Sequence, residues 1–166
     1  MRDIHLIGCG KLKQAGPAAA ADFYTGALFQ KARAYAENRG GPWAVVSAKH
    51  GLILPGQIVQ PYNLTIAELD RQQLAEWADN FNWQLTCWLE SLGYTGRAKL
   101  RDGSHRPAVP RGLPLVALCG RPYVRAISMA AIVGSCELSE PLAGLGIGQR
   151  LQFFNRENAE YAKANN

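Results

Sequence analysis

Three short apolar runs divide the chain, and each passes into small residues and then a base. Ile4–Ile7 leads into Cys9-Gly10-Lys11, Trp43–Val46 into Ser47-Ala48-Lys49-His50-Gly51, and Leu115–Leu118 into Cys119-Gly120-Arg121. Apolar runs of this length, ending at glycine, read as buried strands. Between them the apolar positions recur with the helical period. Leu28, Ala32, Tyr35 and Ala36 mark a first helix that starts near Asp22 or Thr25 and stops at Gly40-Gly41-Pro42. Thr65-Ile66-Ala67-Glu68 is a capping box. From it Leu74, Trp77, Ala78, Phe81, Leu85, Trp88, Leu89 and Leu92 hold one face of a long helix up to Gly93. Pro122 suits the first turn of another helix, with Tyr123, Ile127 and Ala131 on one face. Cys136–Leu138 reads as a short strand. Gly144-Leu145-Gly146-Ile147-Gly148 opens a last helix with Leu151, Phe154 and Tyr161 on its apolar side. The tail after Lys163 reads as frayed.

Strands alternating with helices predict one α/β domain over residues 1–166, a three-layer sandwich around a mostly parallel sheet of about four strands. Gly51–Asn63 reads as irregular, and Tyr94–Gly112 as a loop or short hairpin.

Composition narrows the class. A chain of 166 residues with 48% hydrophobic and 19% charged residues is long enough for a full core and ordinary for a soluble domain. It has no run near the length of a membrane span and no signal-peptide pattern, which predicts a cytoplasmic protein without a membrane partner. Cys9, Cys87, Cys119 and Cys136 are widely spaced, so reduced thiols are expected, with no metal site and no cofactor. A net charge of +5 is too mild to establish nucleic-acid binding by itself. The stretch with Arg97, Lys99, Arg101, His105, Arg106 and Arg111 against the single acid Asp102 concentrates it, and is the segment expected to touch nucleic acid.

In parallel sheets, ligands bind outside the carboxyl ends of the strands. That edge collects Lys11, Lys49, His50 and Arg121, a positive mouth suited to a phosphate. Cys9 there is a candidate nucleophile beside Lys11, or a half-buried thiol in a tight turn. Ser47, Lys49 and His50 form the densest cluster, with His50 as acid or base and Lys49 on an anion. Tyr24 and Thr25 rim the same edge. On the returning loop, Tyr62 stacks on a base and Asn63 reads its edge, or both simply pack on the domain. Gly144, Gly146 and Gly148 before a helix are a candidate anion cradle, although the Gly-Lys-Ser/Thr ending of a Walker loop is missing. Asp22 and Glu140 are the candidate carboxylates near the mouth.

Taken together, Cys9-Gly10-Lys11, Phe23-Tyr24-Thr25-Gly26-Ala27-Leu28-Phe29, Ser47-Ala48-Lys49-His50-Gly51-Leu52, Pro61-Tyr62-Asn63 and Pro141–Gly148 resemble a family of YaaA-like bacterial and phage domains of unknown function. More distantly they resemble the catalytic domain of archaeosine synthase. The resemblance implies a fold related in outline to uracil-DNA glycosylases and a link to nucleic-acid bases. The expectation is a nucleobase- or nucleotide-directed enzyme that cleaves or exchanges an N-glycosidic bond, with nucleic acid or a nucleotide as partner. A non-catalytic nucleic-acid-binding stress protein and a thiol enzyme using Cys9 are the alternatives.

Overall fold

A computed structural model of the protein describes residues 2–99 and 101–165, and for Ala98, Lys99, His105, Arg106 and Pro107 the backbone alone. The strands are β1 (Ile4–Gly8), β2 (Ala18–Ala19), β3 (Trp43–Ser47), β4 (Gly51–Ile53), β5 (Ile58–Val59), β6 (Gly96–Lys99), β7 (His105–Ala108), β8 (Leu113–Leu118) and β9 (Cys136–Ser139). The helices are α1 (Ala20–Phe23), α2 (Ala27–Asn38), α3 (Arg71–Ser91), α4 (Arg121–Ile127) and α5 (Ile147–Ala164).

The main sheet has five strands in the order β4-β3-β1-β8-β9. β3, β1, β8 and β9 run parallel, and β4 returns antiparallel to β3 at one edge. The fifth strand, β4, lies inside the segment expected to be irregular. Three residues are too few to display a period, so the alternation that marks a strand never accumulates there. Gly51 makes the sharp return possible. Its φ of +72° is a left-handed conformation, and a side chain would run into Gln84.

Because strand side chains alternate between faces, the sheet feeds two cores. Leu6, Val46, Leu115 and Ala117 pack toward α3 and α4 with Phe81, Leu85 and Ile127. Ile7, Val45, Val116 and Leu118 pack toward α2 and α5 with Phe23, Phe29 and Phe154. Helices therefore pack on both faces of a mostly parallel sheet.

Several element starts differ from expectation. The Thr65–Glu68 capping box forms but closes only a 3-10 turn, Ile66–Glu68, because Leu69 is extended. A second box, Asp70 with Gln73, starts α3. Asp22 falls in the one-turn α1, and the first long helix, α2, begins after Gly26. The break between them is set by Tyr24, which is extended and bridges to Lys13. Ala131 lies past the end of α4, in a separate 3-10 turn. No described helix is long and apolar enough to cross a membrane.

Candidate functional site

From β1 the chain first crosses to β3 on one side and later returns to β8 on the other. The carboxyl ends of β1 and β8 therefore flank the point where the connections diverge, and a crevice opens at such a point. A cavity of about 300 Å³ occupies it, walled by Leu28, Phe29, Ile66 and Tyr123, with Cys9 and Cys119 from the two strand ends. A second cavity of about 350 Å³ shares Cys119, Leu142 and Arg150 with the first and adds Arg121, Glu140 and Gly144.

Cys9 Sγ lies 3.1 Å from the Tyr123 hydroxyl. Burial and the neighbouring Cys9 push the Tyr123 hydroxyl far above its ordinary range, so it stays a neutral donor. Cys119 is buried and its thiol is pushed up to about 12, first by burial and then by Glu140. It is an inert wall residue. The helical pattern of the sequence places Tyr123 on an apolar face. The overlooked signal is its position two residues after Arg121, at the mouth of a strand.

Beside the crevice, at the end of β3, runs a chain of buried hydroxyls. The Lys49 and His50 amides each donate to Ser47 Oγ at 3.2 Å. Ser47 Oγ lies 2.7 Å from the Tyr62 hydroxyl, which lies 2.9 Å from that of Tyr24. The Trp77 indole N–H donates to the Ser47 carbonyl from the opposite face of the sheet. Burial raises both tyrosine hydroxyls, Tyr24 to about 12. The Tyr62 ring stacks on Phe23 and meets His50 edge-on, and the ammonium groups of Lys13 and Lys49 stand 4.8 and 5.7 Å from its centroid. Tyr62 is thus held by its own domain, with two cations at its ring.

The expected positive mouth is divided. Lys49 and Lys13 gather at Tyr62, while Arg121 and Arg150 line the second cavity. Lys11 is exposed and lines neither cavity. His50 borders a third, smaller cavity between β4 and β5, not the crevice. Its pKa is lowered by burial and then by Lys49, so the ring is neutral near pH 7, and its Nε2 is buried without a partner. Thr25 and Asn63 are exposed and line neither cavity.

The glycine turn is partly engaged already. The Gly146 amide donates to the Gln149 side chain, and the Leu145 amide to the Leu142 carbonyl. Gly144 alone of the three glycines borders the second cavity. Arg150, which the sequence pattern does not single out, is anchored there by its Nε on the Leu145 carbonyl at 2.8 Å. Among the described residues, no group of three or more His, Cys, Asp or Glu is placed to hold a metal ion.

The basic stretch forms the β6–β7 hairpin, which pairs Gly96 with Ala108 and Lys99 with His105. Arg97, Arg101 and Arg111 are exposed, and the side chains of Lys99 and Arg106 lie outside the described residues. The hairpin leads into the amino end of β8, whereas the crevice lies past its carboxyl end. The six residues of β8 separate the two by about 20 Å, at roughly 3.3 Å per residue. The hairpin root and the crevice therefore lie at opposite ends of β8.

A family model for a group of unknown function matches residues 4–156. The chain belongs to that family, DUF6884. All of the strand ends, both cavities and the hydroxyl chain fall within the DUF6884 match. The chain is also 28% identical to the uncharacterized protein YfjM of Bacillus subtilis (strain 168) over 163 residues, covering 94% of this chain and 95% of that one. No solved structure matches.

Proposed function

We propose that this DUF6884 protein is a nucleobase- or nucleotide-directed enzyme working at the crevice between β1 and β8, where it opens or exchanges an N-glycosidic bond. The observation that carries this reading is the pairing of two chambers. One is largely apolar and carries the Tyr123 hydroxyl and the Cys9 thiol. The other joins it and holds a carboxylate, Glu140, with two arginines. The first suits the flat face and polar edge of a base. The second suits the sugar and its substituents.

In hydrolysis, the bond from the anomeric carbon to the base nitrogen breaks. The electron pair leaves with the base, which takes up a proton, and a water oxygen bonds to the carbon. Positive charge grows on the sugar as the bond stretches, so a carboxylate that orients water and offsets that charge is the central requirement. Among the described residues, Glu140 is the carboxylate that borders this pair of chambers. Tyr123, neutral over the working range, is a donor for the base edge. The choice of a nucleobase as substrate class also follows what the distant sequence resemblance to a base-modifying catalytic domain implies.

The test is a base-release and base-exchange assay on DNA, RNA, nucleosides and nucleotides, read by mass spectrometry. Release from at least one class, lost in Glu140→Gln, is the expected result. No release or exchange from any of them overturns the enzymatic reading.

A further inference from the structure

We propose that Arg150 is a phosphate anchor and that the ligand of the crevice is a free nucleoside monophosphate, not a nucleic-acid polymer. This rests on the base-directed reading above and names the substrate class of that same site. Arg150 is half-buried in the wall shared by the two cavities. Its Nε is tied to the Leu145 carbonyl, which fixes the plane of the guanidinium. One terminal nitrogen, Nη1, reaches to within 3.4 Å of where a side chain on Gly120 would begin. The absence of a side chain at Gly120 thus lets the guanidinium lie against the end of β8.

Among the described residues Arg150 forms no ion pair, although Glu140 borders the same cavity. A braced, half-buried guanidinium whose terminal nitrogens have no carboxylate partner is arranged for a bidentate oxyanion. Arg121, from the first residue of α4, lines the same chamber and supplies a second positive charge. The base chamber adjoins this one, so a molecule with a flat apolar part and one terminal phosphate spans both.

Charge placement argues against a polymer. A strand running through the crevice needs a basic track leading away from it. The densest basic segment, the β6–β7 hairpin, instead emerges at the opposite end of β8. The ammonium groups of Lys13 and Lys49 are gathered at Tyr62.

Calorimetric titration tests this with a panel of ribo- and deoxyribonucleoside 5′-monophosphates, the matching nucleosides, inorganic phosphate and a 12-residue oligonucleotide. At least one monophosphate should bind at least about tenfold more tightly than its nucleoside, the scale of a charge-assisted hydrogen bond. Inorganic phosphate should compete with that monophosphate and not with the nucleoside. Arg150→Gln should erase the difference between monophosphate and nucleoside. Arg121→Gln, at an exposed position, should shrink it, and provides the answer if Arg150→Gln does not fold. Equal binding of nucleoside and monophosphate overturns the anchor while leaving the base-directed reading intact. An oligonucleotide that binds more tightly than every monophosphate, unaffected by Arg150→Gln, also overturns it. If no base, nucleoside or monophosphate binds, both readings fail together.

Discussion

Ser47 gives its single hydroxyl proton to Tyr62. The direction follows from counting, since Ser47 Oγ already receives the amides of Lys49 and His50 and has only one hydrogen to place. Tyr62 then keeps its own hydrogen free for the Tyr24 hydroxyl 2.9 Å away. One side chain thereby sets the hairpin turn after β3, the 60–63 loop and the start of the α2 connection. Ser47 is fully buried, so Ser47→Ala strands two amides and a phenol. The expected loss is roughly 1–3 kcal/mol, read by urea denaturation. A change within about 0.5 kcal/mol, the scale of an ordinary surface substitution, would show that the chain of hydroxyls is ornamental.

Stability should decline in mild acid. His5 lies on the central strand, fully buried, with both ring nitrogens unpartnered. Burial lowers its pKa from the ordinary 6.5, against a smaller opposing effect from Asp3, and Arg39 lowers it further. His50 is lowered as well, by burial and Lys49. The unfolded chain binds these protons more readily than the folded one. Their contribution is therefore complete above pH 6.5 and is lost as pH falls below it toward the folded values. Each histidine adds at most about 1.4 kcal/mol per pH unit in that window. Denaturation midpoints at pH 5, 6, 7 and 8 measure it, and His5→Phe should flatten the slope. A wild-type profile that is flat between pH 5 and 7 would contradict the assignment.

Glu140→Gln should abolish turnover without unfolding the protein. Glu140 is exposed at the cavity rim and forms no ion pair among the described residues. Stability should change by no more than about 0.5 kcal/mol. Loss of a carboxylate that serves the reacting centre should cost about 100-fold or more in rate. Thermal melts beside the base-release assay separate the two effects, and retained turnover would remove Glu140 from the mechanism.

Hairpin and crevice should be separable. Arg97→Ala with Arg101→Ala should weaken any binding to long nucleic acid and reduce its salt slope by roughly one for each phosphate that is no longer neutralised. The same pair should leave mononucleotide titrations unchanged, because the hairpin roots at the opposite end of β8 from the cavities. Parallel losses in both assays would mean that the two regions cooperate.

Within α3, position predicts opposite outcomes for two aromatics. Phe81 is completely buried, while Trp83 is 65% exposed. Phe81→Ala should cost about 3–5 kcal/mol, and Trp83→Ala should stay near the surface scale of about 0.5 kcal/mol. Denaturant titration of both variants checks this, and a large loss from Trp83→Ala would point to packing that its exposure does not suggest.

β3 and β8 were readable as apolar runs with glycines close to both ends and β1 as an apolar run broken only by His5, and α3 because eight apolar positions keep a single phase. β4 was not, since its three residues acquire their role only by pairing with β3. The site divides in the same way. Cys9, Ser47 and Arg121 follow strands directly, and chain order alone brings them to one edge. Tyr123, Lys13 and Arg150 reach the site region by the angle of a helix or a loop, which no local pattern encodes. Even His50, next to Lys49 in sequence, borders a cavity that Lys49 does not, although both side chains reach the Tyr62 ring.

The outer edge of β4 has its own closure. The amide of Leu52 is taken by the Gln84 side chain and that of Leu54 by Gln57, while Gln84 also donates to the His50 carbonyl. These are groups that a foreign strand would use to extend the sheet. With both amides already satisfied by glutamine side chains, this margin offers poor purchase for amyloid-type stacking, strand exchange between copies or capture of an extended peptide. The turn after β3 is thus braced by the same residue, Gln84, that closes the β4 rim against a further strand.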